Sequence, residues 1–332
     1  MKERTLNNIS SKLREQVLRT LLYYDIFNYP LKVDEVYRFL GIGGVDKSSV
    51  QSCLTELRDM KMIYQFGDFY CMKNSKAVIE RRVKGNSQAD RLLSLASRRS
   101  NFISKFPFVR AVLASGSFSK GYMDEKSDLD FFIITEPGRL WIARTLLVLY
   151  KRVFLFNSRK YFCVNYFVDE EHLEIEEKNL FTATELATVL PLSGARHYED
   201  LLLSNPWLRD FYPNFAPRSV ANVPSGSASL LKNFMEKFLN IFFSKALERF
   251  FHKMTLARWK KLYEKDYSAT DFKVAFKSKP YASKVHPSNF QRTVIEVYEE
   301  KLRACGIGDK ASSDDNVFVI DNTVLLQSSS GL

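Results

Sequence analysis

The sequence predicts a mixed α/β protein in three zones, and three observations carry that prediction. Residues 11–80 read as three helices followed by a short hairpin. Residues 86–215 alternate buried strands with helices, the pattern of an α/β sheet domain. Residues 216–332 open on a Pro-, Ser- and Gly-rich link and continue as a long basic helix. The predicted domains are therefore 1–85, 86–215 and 216–332, the last mainly helical.

In the first zone, Leu13, Val17, Leu21 and Leu22 recur at helical spacing within Ser11–Tyr24. Pro30 breaks the chain, Val33–Leu40 reads as a second helix, and Asp46 can cap a third that runs to Met60. Two aromatic runs, Met62–Phe66 and Phe69–Met72, hinge at Gly67-Asp68 as a hairpin. In the second zone a helix over Gln88–Lys105 ends at Pro107, and Val109–Ala114 reads as a buried strand. A strand at Leu129–Thr135 stops at Pro137-Gly138, and Leu140–Phe156 is an apolar helix. Strands at Tyr161–Val168 and His172–Glu176 flank the acidic turn Asp169-Glu170-Glu171. Short helices broken at Pro191, Gly194 and Pro206 fill Thr182–Asp210. The third zone holds helices at Leu230–Tyr263 and Ser288–Cys305, with a closing hairpin about Asp321-Asn322 and a frayed end.

Composition narrows the function classes. At 45% hydrophobic and 14% aromatic, the chain has ample material for a sizeable core. The formal net charge of +11 favours anionic partners such as nucleotide, nucleic acid or an acidic membrane surface. Cys53, Cys71, Cys163 and Cys305 form no C-x-x-C pair, and His172, His197, His252 and His286 are equally scattered. That spacing argues against a zinc cluster and a disulfide framework. The polar start MKERTLNNISSKLREQ lacks an apolar stretch suited to a signal peptide. Lys237, Lys245 and Lys253 interrupt the most apolar helix before it reaches the roughly 20 residues of a membrane span. The expectation is a cytoplasmic protein with reduced thiols.

The chemistry concentrates in SGSFSKGYMDEKSDLDFFIIT. A strand feeds Gly116-Ser117, where glycine allows a phosphate close to the backbone and a helix start attracts anions. Ser117 adds a hydroxyl donor. Asp128 and Asp130 stand at i and i+2 on a strand, so both carboxylates project from one face. Paired carboxylates repel, and a divalent cation between them relieves the repulsion. Mg²⁺ (or Mn²⁺) suits such a site because it shares its coordination with substrate phosphates. A phosphate cradle beside a cation-holding pair is an arrangement for phosphoryl or nucleotidyl transfer.

This stretch resembles the polymerase-β-type nucleotidyltransferase superfamily, with Gly-Ser, about ten residues, then Asp-hydrophobic-Asp on a strand. Gly116-Ser117 and Asp128-Leu129-Asp130 carry the likeness. Gly121 and Ser127 also match, and Lys120 stands where many members have Arg. The resemblance implies a nucleotidyltransferase fold with a mixed sheet. It implies an NTP as substrate held through Gly116, Ser117, Lys120 and Ser127, and a hydroxyl or anionic acceptor. Members usually carry a third carboxylate on a later strand, as metal ligand or base. On YFCVNYFV its equivalent position holds Asn165, and an amide takes up no proton at neutral pH. On HLEIEE, Glu174 and Glu176 share one face, and Glu174 is taken as the third acid beside Asp128 and Asp130. If Glu174 is only a solvated strand residue, the domain binds a nucleotide without transferring it. A looser likeness extends to bacterial proteins with a winged-helix segment before such a domain.

The flanks leave alternatives open. SVQSCLTELRDMKMIYQFGDFY resembles the third helix and wing of winged-helix proteins, with Lys47, Ser48, Gln51 and Ser52 at the reading position for DNA. Residues 1–80 carry a net charge of only +2, which favours packing on the catalytic domain or a partner over DNA reading. A non-catalytic nucleotide sensor with the winged helix as output, or a toxin–antitoxin-like partner module, are the other readings. Residues 229–310 hold +8 of the charge, with Phe234, Phe238, Phe242, Trp259 and Tyr263 among the lysines. They suit a cleft wall for an anionic acceptor, a helix near acidic lipids, or a core helix with a solvated lysine face.

Overall fold

The computed structural model describes residues 2–158, 160–226, 229–268, 272, 275–285 and 290–308, the side chains of 2–9 and 242–244 excepted. The chain begins with α1 (Lys2–Asp25), α2 (Val33–Arg38) and α3 (Lys47–Asp59), then the hairpin β1 (Tyr64–Phe66) and β2 (Phe69–Cys71). Asp46 caps α3 as expected, its carboxylate accepting from the Ser49 N–H at 2.7 Å. Leu31 pairs with Tyr70 and ties the α1–α2 connection to the hairpin. Helix α4 (Lys76–Ile103) starts well before Gln88, so the chain passes through residues 85 and 86 without a break. Its buried Arg82 donates to Glu35 at 2.7 Å and to the Pro30 carbonyl at 3.1 Å, which fastens α4 to the first three helices.

A mixed six-stranded sheet follows. Its strands are β3 (Val109–Ser115), β4 (Asp130–Thr135), β5 (Cys163–Asp169), β6 (Leu190–Ser193), β7 (Ser278–Lys279) and β8 (Ala282–Lys284). They lie in the order β6-β3-β4-β5-β8-β7. Only β4 and β5 run parallel, and α6 (Leu140–Phe154) makes the crossover between them. A single turn, α5 (Gly116–Ser119), leads out of β3. Alternation along the strands builds two cores. Ala111, Leu113, Phe132 and Ile134 pack with α1–α3, α7 (Leu180–Thr188), α8 (Ala195–Leu203) and α9 (Leu208–Phe211). Val112, Ala114, Phe131 and Ile133 pack with α4, α6 and the long α10 (Leu230–Tyr263). Helix α11 (Phe290–Ala304) returns to α1, with the Tyr298 ring 5.5 Å from Tyr23.

Two expectations are corrected. Residues 172–176 form no strand: Asp169 and His172 close a turn, with the His172 ring nitrogen 2.7 Å from the carboxylate. The backbone that follows bonds to a side chain instead of a neighbouring strand. Asn205 accepts from Ile175 N–H and donates to the Leu173 carbonyl, both at 2.8 Å. Asp128 precedes β4, which begins at Asp130, so the two aspartates do not share one strand. Strands β7 and β8, absent from the sequence reading, extend the sheet from within the third zone. The hairpin expected about Asp321-Asn322 and the frayed end lie outside the described residues, as does His286.

Candidate active site

The site is assembled where β3 delivers the chain into α5. Gly116 has φ +65°, a left-handed conformation that costs most side chains energy. A Cβ there would lie 2.5 Å from Asp130 Oδ2, so glycine is also required by the aspartate's approach. Asp130 pairs across the sheet with Ser115, which fixes its carboxylate beside this turn. Lys120 donates to the Gly116 carbonyl at 3.1 Å and to Glu185 of α7 at 2.6 Å. Ser127 donates to Asp124 at 2.8 Å and so shapes the turn that presents Asp128.

On the other side of Asp130, β5 carries a bulge. Phe131 is opposite Val164 and Phe132 opposite Tyr166, so Asn165 is the extra residue. A bulge re-aims its side chain. Here the Asn165 amide donates to Asp130 Oδ1 at 3.0 Å, while its own Oδ1 is buried with no hydrogen-bond partner. Burial, then the neighbouring Asp128 and Glu185 charges, push the Asp130 carboxyl up to about 6, against the Cys163 thiol and Lys120. A cation beside Asp128 and Asp130 would reverse that cost. Two carboxylates suit a hard ion that takes its remaining ligands from phosphate and water. Among the described residues no three His, Cys, Asp or Glu side chains converge as a ready-made metal site.

These groups open on a cavity of about 640 Å³, a size that holds one small ligand. Gly116, Ser117, Lys120, Ser127 and Asp130 line it, and Asp128 lies two residues before Asp130 on the approach to β4. The N-terminal zone supplies a wall through Tyr24–Tyr29, and the Tyr29 hydroxyl donates to the Lys120 carbonyl. Phe181 and Phe290 close the apolar side, their rings 5.9 Å apart. Lys284 of β8 brings a cation whose burial holds its ammonium below the ordinary lysine value.

The structure does not bring Glu174 to this site. Its side chain is 63% exposed and paired with Lys178 at 2.7 Å. Arg81, Asp124, Glu177, Glu185 and Lys284 also line the cavity, and sequence reasoning missed all five. Glu185 meets Lys120 across 65 positions through the packing of α7, and no local pattern marks it. Lys284 sits on a three-residue strand too short to show periodicity.

Residues 98–186 match the family model of the nucleotidyltransferase domain. The match spans the end of α4, β3, α5, β4, α6, β5 and nearly all of α7, and so takes in Gly116, Asp130, Asn165 and Glu185. No curated protein and no solved structure matches the chain. A nucleotidyltransferase domain in a mixed sheet agrees with the resemblance carried by Gly116-Ser117 and Asp128-Leu129-Asp130, and it supports transfer of nucleotidyl groups in general terms.

Proposed function

We propose that the chain moves a nucleoside monophosphate from an NTP to an acceptor hydroxyl or phosphate, with Mg²⁺ or Mn²⁺, releasing pyrophosphate. The observation that carries this reading is the Gly116 turn pressed against a half-buried Asp130 at a ligand-sized cavity. Ser117, Lys120 and Lys284 supply a donor and two cations for the triphosphate. Asp128 and Asp130 would hold the cation, which when bound neutralises phosphate charge and stabilises the leaving pyrophosphate.

The acceptor oxygen attacks the α-phosphorus, the bond to the bridging oxygen breaks, and the acceptor proton passes to a base. Asn165 cannot take that proton. Glu177 is held by Lys277 through both oxygens at 3.0 Å. Asp124, also on the cavity wall, is held by Arg81, Tyr122 and Ser127. Glu185 meets Lys120 through one oxygen at 2.6 Å and is the residue to test. Glu185→Gln is expected to lower turnover by roughly a hundredfold or more while NTP binding persists, the scale of general-base loss. Glu174→Ala is expected to leave both unchanged. Equal turnover in Glu185→Gln and the parent would remove Glu185 from the mechanism.

Asn165 also favours a second reading, in which the domain binds an NTP and transfers nothing. Incubation with each labelled NTP and Mg²⁺, followed by mass analysis for self-modification and for transfer to cell-extract acceptors, separates the two. Pyrophosphate release with a mass gain supports transfer. Binding that is lost in Asp128→Ala with Asp130→Ala, without any product, supports sensing. Binding and turnover that survive that double substitution would sink the site assignment.

A further inference from the structure

The first half of α10 is folded inside out. Lys232, only 5% exposed, donates to the Ser104 and Val109 carbonyls at 2.9 and 2.6 Å. Glu236 accepts from the Phe108 N–H at 2.6 Å and from Arg110 at 2.9 Å. Asn240 accepts from Arg139 at 2.7 Å. These polar groups face the protein. On the opposite side, at helical spacing, Leu230 is 89% exposed, Phe234 67% and Ile241 75%. A helix resting on a domain in water presents the reverse pattern. Contiguous exposed apolar side chains of this size mark a surface that something covers.

Charge selects what covers it. All seven exposed charged residues of α10, from Lys237 to Lys261, are cations. The helix's only acids, Glu236 and Glu248, are both spent on inward hydrogen bonds. Near the far end of α10, Phe154 and Phe156 stand exposed beside Lys151 and Arg152 at the close of α6. The two helices pack on each other, with the Arg144 guanidinium of α6 4.8 Å from the Trp259 ring of α10. A second copy docked here would set like charges against each other. An anionic lipid surface accepts both the apolar stripe and the cations.

We propose that α10 seats this protein on an acidic membrane surface, its outer apolar residues in the headgroup layer and its lysines over anionic phosphates. The attachment is peripheral, because no described helix is long and apolar enough to cross a membrane. It does not depend on nucleotidyl transfer.

The full chain is mixed with phosphatidylcholine vesicles, with and without phosphatidylserine, and floated on a density gradient. Flotation is expected with the phosphatidylserine vesicles and not with the neutral ones. Phe234→Asp with Ile241→Asp is expected to reduce it by roughly tenfold or more, and Lys237→Glu with Lys245→Glu likewise. All four positions are exposed, so the thermal midpoint should not move. Absence of flotation, or equal flotation with neutral vesicles, overturns the proposal. So does a concentration-dependent dimer in sedimentation that Phe234→Asp abolishes, because a second copy would then be the cover.

Discussion

Gly116 and Asp130 constrain one another. The turn needs a residue that accepts φ +65°, and the aspartate needs a neighbour with no side chain. Gly116→Ala should therefore lose stability by about 1–2 kcal/mol from the left-handed backbone alone. It should also lose NTP binding, because the new methyl displaces the Asp130 carboxylate. Thermal unfolding and nucleotide titration of the same variant check both effects, and unchanged binding would show that the contact is dispensable. This part of the site was legible in the sequence because it is local: Gly116 and Ser117 open α5, Asp130 opens β4 a short way on, and the pairing of neighbouring β3 and β4 brings them together. Glu174 shows where locality ends. It alternates with Leu173 and Ile175, which are both buried, but the segment pairs with the Asn205 side chain instead of a strand and turns Glu174 outward.

Elements in this molecule hold one another by polar groups sent from a distance. Glu248 of α10 accepts from the Trp141 and Ile142 N–H groups at 2.7 and 3.0 Å, capping α6 where the N-cap residue Arg139 makes no side-chain cap bond. Lys232 does similar work for the α4–β3 corner, and it carries a pH signature. Burial pulls its ammonium from 10.5 down to about 8. Below about 8 it is charged in both folded and unfolded chains. Between about 8 and 10.5 the folded lysine has shed its proton and the unfolded one has not. The unfolded state then binds more protons, so stability should rise with pH across that window. Lys232→Met should remove this rise, which urea unfolding of both proteins at about pH 7 and about pH 10 would reveal. A parent whose stability falls or stays level relative to the variant would refute the burial argument. Such long-range caps leave no periodic trace in a sequence. Strands β7 and β8 escaped for a related reason: at two and three residues they are too short to show alternation.

At the scale of the whole chain, the N-terminal helices are not an appendage. Leu21, Val36 and Leu54 belong to the same apolar cluster as Leu113 and Phe132 of the sheet and Leu186 of α7. Tyr24–Tyr29 complete the cavity wall. Calorimetry of the full chain is expected to give a single unfolding transition covering residues 1–75 and the sheet together. A separate low-temperature transition that disappears when residues 1–75 are removed would contradict this.

The pairing of Tyr166 with Lys284 has a consequence in time. The two residues are more than a hundred positions apart, and Lys284 is the last cation to enter the cavity. While the chain is being synthesised, the loop with Gly116 and Asp130 emerges early, but β5 waits with an open edge until β8 arrives. Such distant strand pairing forms slowly. An interrupted product that stops short of residue 284 would carry the whole motif, keep an adhesive edge, and have no closed cavity in which to use it.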